Sequence, residues 1–208
     1  MQLTAIRALI FDLGGVVINI DPPRTFAALQ RLAAPTVSVT DAFLEHHAVF
    51  LDYEKGLIDD AAFRQGIRDL IQRPGLSNAV IDEAWCSMLL DIPPERLELL
   101  KRLKAQYRTF VLSNTNQIHV DAFNRIVASV GGQSSLDPYF EKVYFSHNLK
   151  MRKPEAQIYQ HVLREQGLEP AETLFLDDRE DNLAAARAEG LRTQLVTPTR
   201  GILELFAT

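Results

Sequence analysis

The stretch I-F-D-L-G-G-V-V-I-N-I-D, Ile10 to Asp21, decides the fold. The apolar residues Ala8, Leu9, Ile10, Phe11 and Leu13 surround one carboxylate, Asp12, and the run breaks at Gly14-Gly15. Continuous rather than alternating hydrophobicity marks a strand buried on both faces, as in a parallel sheet. Open α/β sheets bind ligands beyond the carboxyl ends of their strands, so an acid at such a tip is a candidate functional group. Its plainer roles are helix-cap acceptor and solvated strand end.

Working outward, five short apolar runs read as strands: Ala5–Asp12, Arg108–Ser113, Lys142–Ser146, Thr173–Asp177 and Arg192–Thr197. Helix-period segments at about Asn116–Val130, Glu155–Gln166 and Asp181–Glu189 separate the last four, each ending near a glycine. This alternation predicts an α/β fold, a doubly wound, Rossmann-like parallel sheet of five strands. The segment from about Asp21 to Gln106 is too long for one crossover. It reads as helices over Pro23–Ala33, Thr40–Leu51, Asp59–Gln72, Asn78–Leu89 and Pro94–Ala105, the last leading into the second strand. The expected division is a core of residues 1–20 plus 89–208 and an inserted helical cap of residues 21–88, set as a lid beside the first strand's tip.

The chain has 208 residues, 47% hydrophobic and 24% charged, enough to bury a full core. A net charge of −5 argues against nucleic acid or an anionic membrane as partner, while leaving room for a small anion bound by local dipoles or a metal. The single cysteine, Cys86, cannot form an intrachain disulfide, which suits a cytoplasmic location. The opening MQLTAIRALIFDLGG lacks a signal-peptide layout, and no run approaches the roughly 18 apolar residues of a membrane helix. Monomer and homodimer both remain compatible with the apolar cap stripes.

Three further motifs stand at strand ends. Ser113-Asn114-Thr115-Asn116 closes the second strand; it suits helix capping, and equally an anion site built from a hydroxyl and free N–H groups. Lys153-Pro154 follows the third, with the proline expected in the first helical turn and Lys153 on the loop before it. Asp177-Asp178 ends the fourth, where adjacent acids need a cation or basic partners, and hard oxygen ligands suit Mg²⁺. Taken together, these groups can neutralise a phosphoryl group's oxygens and leave Asp12 free to attack phosphorus.

The order and wording of these motifs resemble the haloacid dehalogenase superfamily over essentially the whole chain. Asp12 matches the nucleophile, Ser113 the second motif, Lys153 the third and Asp177-Asp178 the acidic fourth; the helical insert matches a C1-type cap. More narrowly, FDLGGV, LSNTN, MRKPEAQIYQHVL and FLDDREDN resemble the bacterial α-D-glucose-1-phosphate phosphatase group. The resemblance implies a Mg²⁺-dependent phosphomonoester hydrolase for a small phosphorylated metabolite, such as a sugar 1-phosphate. Phosphoryl oxygens would be held by Ser113, the Asn114 N–H and Lys153. Metal ligation would fall to Asp12, Asp178 and the Gly14 carbonyl, with Asp177 at or just outside the first shell and oriented by Asn182 or Asp181.

Family phosphatases mostly carry a second aspartate where this chain has Gly14. Positioned acid–base catalysis is typically worth about 10²–10⁴-fold, so its loss slows such a site without abolishing it. The deficit is smaller for a better leaving group. His119, a cap residue or water is a candidate replacement. Competing readings are a metal-independent 2-haloacid dehalogenase, against which the paired acids argue, and a catalytically idle binding protein. Lys55, in the Tyr53-Glu54-Lys55-Gly56 turn, and Arg152 are secondary candidates for substrate contact. His46-His47 point too far apart to share an ion, and Trp85 and Cys86 fit core packing.

Overall fold

The computed structural model describes residues 5–40 and 47–207. Its sheet is all parallel, with β1 (Ala8–Phe11), β2 (Arg108–Ser113), β3 (Lys142–Phe145), β4 (Thr173–Asp177) and β5 (Arg192–Leu195) in the order β3-β2-β1-β4-β5. The apolar runs of the three central strands serve two cores. Leu9, Phe11, Val111, Leu174 and Leu176 face one side, with the helices at Pro94–Lys104 and Gln117–Gly131. Ala8, Ile10, Phe110, Leu112 and Phe175 face the other, with those at Ala156–Gln166 and Glu180–Ala188. A two-sided burial of this kind requires continuous hydrophobicity. The edge strands differ from that expectation: β3 and β5 are half-exposed, because each has a neighbour on one side only.

Between β1 and β2 the described residues form helices at Pro22–Leu32, Ala48–Glu54, Asp60–Leu70 and Asn78–Cys86. Their inward residues, among them Leu29, Phe50, Phe63, Ile67, Ile81 and Trp85, make a third apolar cluster. Of the helix expected over Thr40–Leu51, the described part belongs to the helix Ala48–Glu54, where the His47 imidazole accepts the Val49 N–H and caps the first turn. Residues 41–46, including His46, lie outside the described residues.

Within this helical layer Phe63 stacks on Tyr53 with ring centroids 4.0 Å apart. The layer meets the helix Gln117–Gly131 where Trp85 lies parallel to His119 at 4.8 Å. The connecting strands pair where they leave and re-enter the sheet: Asn19 N–H donates to Asp91 O, Leu90 N–H to Asn19 O, and Asp21 N–H to Met88 O. No helix among the described residues is long and apolar enough to cross a membrane. Truncating Phe63, which is fully buried, to alanine should cost about 3–5 kcal/mol, read as a lower urea midpoint.

Candidate active site

Register brings the candidate groups together. Phe11 lies across from Val111 of β2 and Leu176 of β4, so the next residue, Asp12, falls beside Asp177. The Asp12 N–H donates to Leu176 O at 2.8 Å, and Asp12 Oδ1 accepts the Leu13 N–H at 2.7 Å. Lys153 Nζ then sits between Asp12 Oδ1, at 2.9 Å, and Asp177 Oδ2, at 2.6 Å. All three side chains are buried, Lys153 and Asp177 almost completely. Lys153 comes from the loop after β3, and Pro154 precedes the helix rather than opening it, since the helix starts at Ala156 with Glu155 as its cap residue.

Asp177 is fully employed. Besides Lys153, it accepts both Asn182 Nδ2–H bonds at 3.1 Å and the Arg179 N–H at 2.8 Å. Of the two residues expected to orient it, Asn182 does so, while Asp181 turns outward to pair with Arg179. Asp178 is exposed and lies against the Gly15 backbone. Gly15 has a φ of +70°, and a Cβ there would come within 2.3 Å of Asp178 Oδ2, so only glycine leaves Asp178 its place. At Gly14 the position of a Cβ lies 2.9 Å from Ile20 Cδ1, so a larger residue would require Ile20 to shift.

Oxygens of Asp12, Asp177 and Asp178 lie within 4.8 Å of one another, around the single ammonium of Lys153. The imbalance marks their ionisation. Burial raises the Asp12 carboxyl to about 7, with Lys153 opposing and the neighbouring Asp177 adding to the rise. Burial and Asp177 also raise Asp178. Burial alone would lower the Lys153 ammonium, but Asp12 and Asp177 outweigh it and hold it above the ordinary lysine value. Hard carboxylate donors short of positive charge are a chemical fit for a divalent cation such as Mg²⁺.

Ser113 is buried at the tip of β2. The Asn114 side chain has a role that the sequence did not reveal: its Oδ1 accepts the Lys153 N–H at 2.8 Å and its Nδ2–H donates to Lys153 O at 2.9 Å. Asn116 caps the following helix through the His119 N–H. The next N–H of the motif, from Thr115, is taken by Ser146 Oγ and so is withdrawn from any anion.

Three secondary candidates are engaged elsewhere. Lys55 pairs with Glu155, and Arg152 pairs with Glu54. The His119 Nε2–H donates to Trp85 O while Nδ1 accepts from Asn116, and burial lowers its pKa to about 4. Both ring nitrogens of His119 are thus engaged by Trp85 and Asn116, away from the Asp12 cluster. Trp85 is indeed core, and it donates its indole N–H to Asn116 Oδ1. A cavity of about 610 Å³ opens nearby on the seam, between Tyr53, Gly56 and Asp60 on one side and Gln117, His147 and Lys150 on the other. The Asp12–Lys153 cluster is not part of its wall.

The sequence pattern of the haloacid dehalogenase-like hydrolases matches residues 6–190. The chain belongs to this family. A D-ribitol-5-phosphate phosphatase from Bacteroides thetaiotaomicron is 27% identical over 189 residues, 90% of each chain. A haloacid dehalogenase family enzyme of that organism, bt-2542, has been solved as an aspartate-to-alanine mutant in complex with magnesium and inorganic phosphate. It is 36% identical with a TM-score of 0.88, covering 98% of this chain and 100% of that one. A predicted hydrolase of the same type from Porphyromonas gingivalis is 30% identical with a TM-score of 0.82, over 92% and 91% of the two chains.

Burial raises the Asp12 carboxyl to about 7, so a cation bound to this carboxylate would compete with a proton. The same shift means that, without metal, Asp12 favours the folded state below its unfolded value near 3.8 and that this contribution is lost as pH rises to about 7. The rise in melting temperature produced by Mg²⁺ should therefore be larger at pH 8 than at pH 5.5, as differential scanning fluorimetry would record.

Proposed function

We propose that this hydrolase is a Mg²⁺-dependent phosphomonoester hydrolase acting on a small sugar or polyol phosphate through an aspartyl-phosphate intermediate. The observation that carries the reading is the buried Asp12–Lys153–Asp177 cluster with Asp178 at its open side. Asp12 Oδ1 accepts the Leu13 N–H and pairs with Lys153, which fixes the carboxylate so that one of its oxygens attacks phosphorus. It forms the new O–P bond as the P–O bond to the leaving group breaks. Water then cleaves the aspartyl phosphate, releasing inorganic phosphate and regenerating Asp12.

Lys153, held by two carboxylates, presents fixed positive charge to the phosphoryl oxygens, where such preorganised charge is most effective. The Ser113 hydroxyl and the Asn114 N–H complete the oxyanion contacts. Asp12, Asp178 and the Gly14 carbonyl would hold Mg²⁺, and Asp177, spent on Lys153, Asn182 and Arg179, would lie just behind them. When bound, Mg²⁺ supplies positive charge that keeps Asp12 ionised and offsets charge on the phosphoryl group.

In this reading residues 21–88 act as a cap that excludes water and selects substrate, over a core of residues 1–20 and 89–208. The substrate class follows the ribitol-phosphate relative and the sugar-phosphate resemblance, both compact polyhydroxylated phosphates. Gly14 removes the usual acid, so within that class esters with the better leaving oxygen should react with the smaller deficit.

Phosphate release should be tested on D-ribitol 5-phosphate, α-D-glucose 1-phosphate and related esters, with Mg²⁺ and with EDTA. Activity should require Mg²⁺, and Asp12→Asn should lower kcat on the order of 10³-fold or more. Undiminished turnover by that variant would remove Asp12 from the nucleophile's role.

A further inference from the structure

Lys153 is carried by a tight turn whose two ends bear opposite charges. Glu155 N–H donates to Arg152 O at 2.9 Å, closing the turn with Lys153 and Pro154 at its centre. The ammonium is fixed by Asp12 and Asp177, and the Lys153 backbone by Asn114. The two ends of the turn, however, are fastened to the other layer of the protein. Arg152 donates to Glu54 Oε2 from Nε at 3.1 Å and from a terminal nitrogen at 2.9 Å, and Glu155 pairs with Lys55.

Glu54 and Lys55 are neighbours at the end of the Ala48–Glu54 helix, so one dipeptide of the helical layer matches both ends of the turn, acid to base and base to acid. The backbone there is docked as well. Glu54 O accepts the Ser146 hydroxyl at 2.6 Å, and Lys150 donates to Gly56 O. Gly56, with φ of +61°, approaches so closely that a Cβ would lie 2.2 Å from His147 O. Ser146 in turn accepts the Thr115 N–H at 2.9 Å, two residues beyond Ser113. The four charged side chains are all 26–32% exposed, sheltered enough for the pairs to be specific.

We propose that Glu54 and Lys55 are positioning residues for Lys153: by gripping Arg152 and Glu155 they make docking of the helical layer a condition for the correct placement of the lysine. The catalytic consequence rests on the phosphatase reading above; the mechanical coupling does not. Docking and phosphoryl-site assembly are then one event. Lys55 and Arg152 thereby act on the site without touching substrate.

The test uses the full-length protein with the variants Glu54→Arg, Arg152→Glu and the double charge swap, each first checked for an unchanged melting temperature within a few degrees. Hydrogen–deuterium exchange of the peptide spanning residues 150–156 reads the coupling without reference to activity. Exchange there should rise severalfold in each single variant and return toward wild type in the swap. With p-nitrophenyl phosphate and Mg²⁺, kcat should fall on the order of tenfold in the single variants, with KM changing less, and recover in the swap. Unchanged exchange in both single variants, or a swap no better than the singles, overturns the coupling. Altered and rescued exchange in a protein whose wild type releases no phosphate would uphold the coupling and instead count against the phosphatase reading.

Discussion

The Lys153 ammonium, buried between Asp12 and Asp177, is the contact on which the rest of the site depends. A lone buried ammonium or carboxylate is costly to desolvate, and pairing is what makes either tolerable. Here three strands and a loop converge so that one positive charge serves two acids. Asn182 and the Arg179 N–H then saturate the remaining lone pairs of Asp177. Asp178, outside this network, adds a further carboxylate at the open side, and burial first, with Asp177 adding to it, raises the pKa of both Asp12 and Asp178.

That arrangement also explains the two glycines of the opening stretch. Gly15 is required by its left-handed backbone and by the closeness of Asp178. Gly14 has no such requirement of φ. Its side-chain space is taken up by Ile20, which also bridges to Leu89 where the chain re-enters the sheet domain. A side chain at position 14 would therefore need only the end of the Ile20 side chain to move aside.

Much of the site was legible in the sequence because it lies at strand ends. Buried parallel strands announce themselves as continuous apolar runs, and the residue that ends each run is fixed by that boundary, as for Asp12, Ser113 and Asp177. The edge strands were legible from composition but not in their exposure, since one missing neighbour leaves no mark on four or five residues. The cap of the Ala48–Glu54 helix is not legible in the sequence, because an imidazole at His47 is a weaker signal than serine or aspartate. Lys55 and Arg152 were legible as charged residues but not as partners of Glu155 and Glu54, because a sequence shows charge without showing what it pairs with.

By itself the sequence determined the parallel α/β sheet, the helices between β1 and β2, the acids at the strand tips and the lysine on the loop beyond β3. Periodicity and run length are local properties, and they survive translation into a one-dimensional pattern. Only the tertiary structure decided that Asn114 clamps the backbone of Lys153, that His119 is locked neutral beneath Trp85, and that Glu54 and Lys55 grip the two ends of the lysine's turn. Those contacts join residues tens of positions apart, and a hydrogen bond or ion pair depends on a few tenths of an ångström that no local pattern encodes.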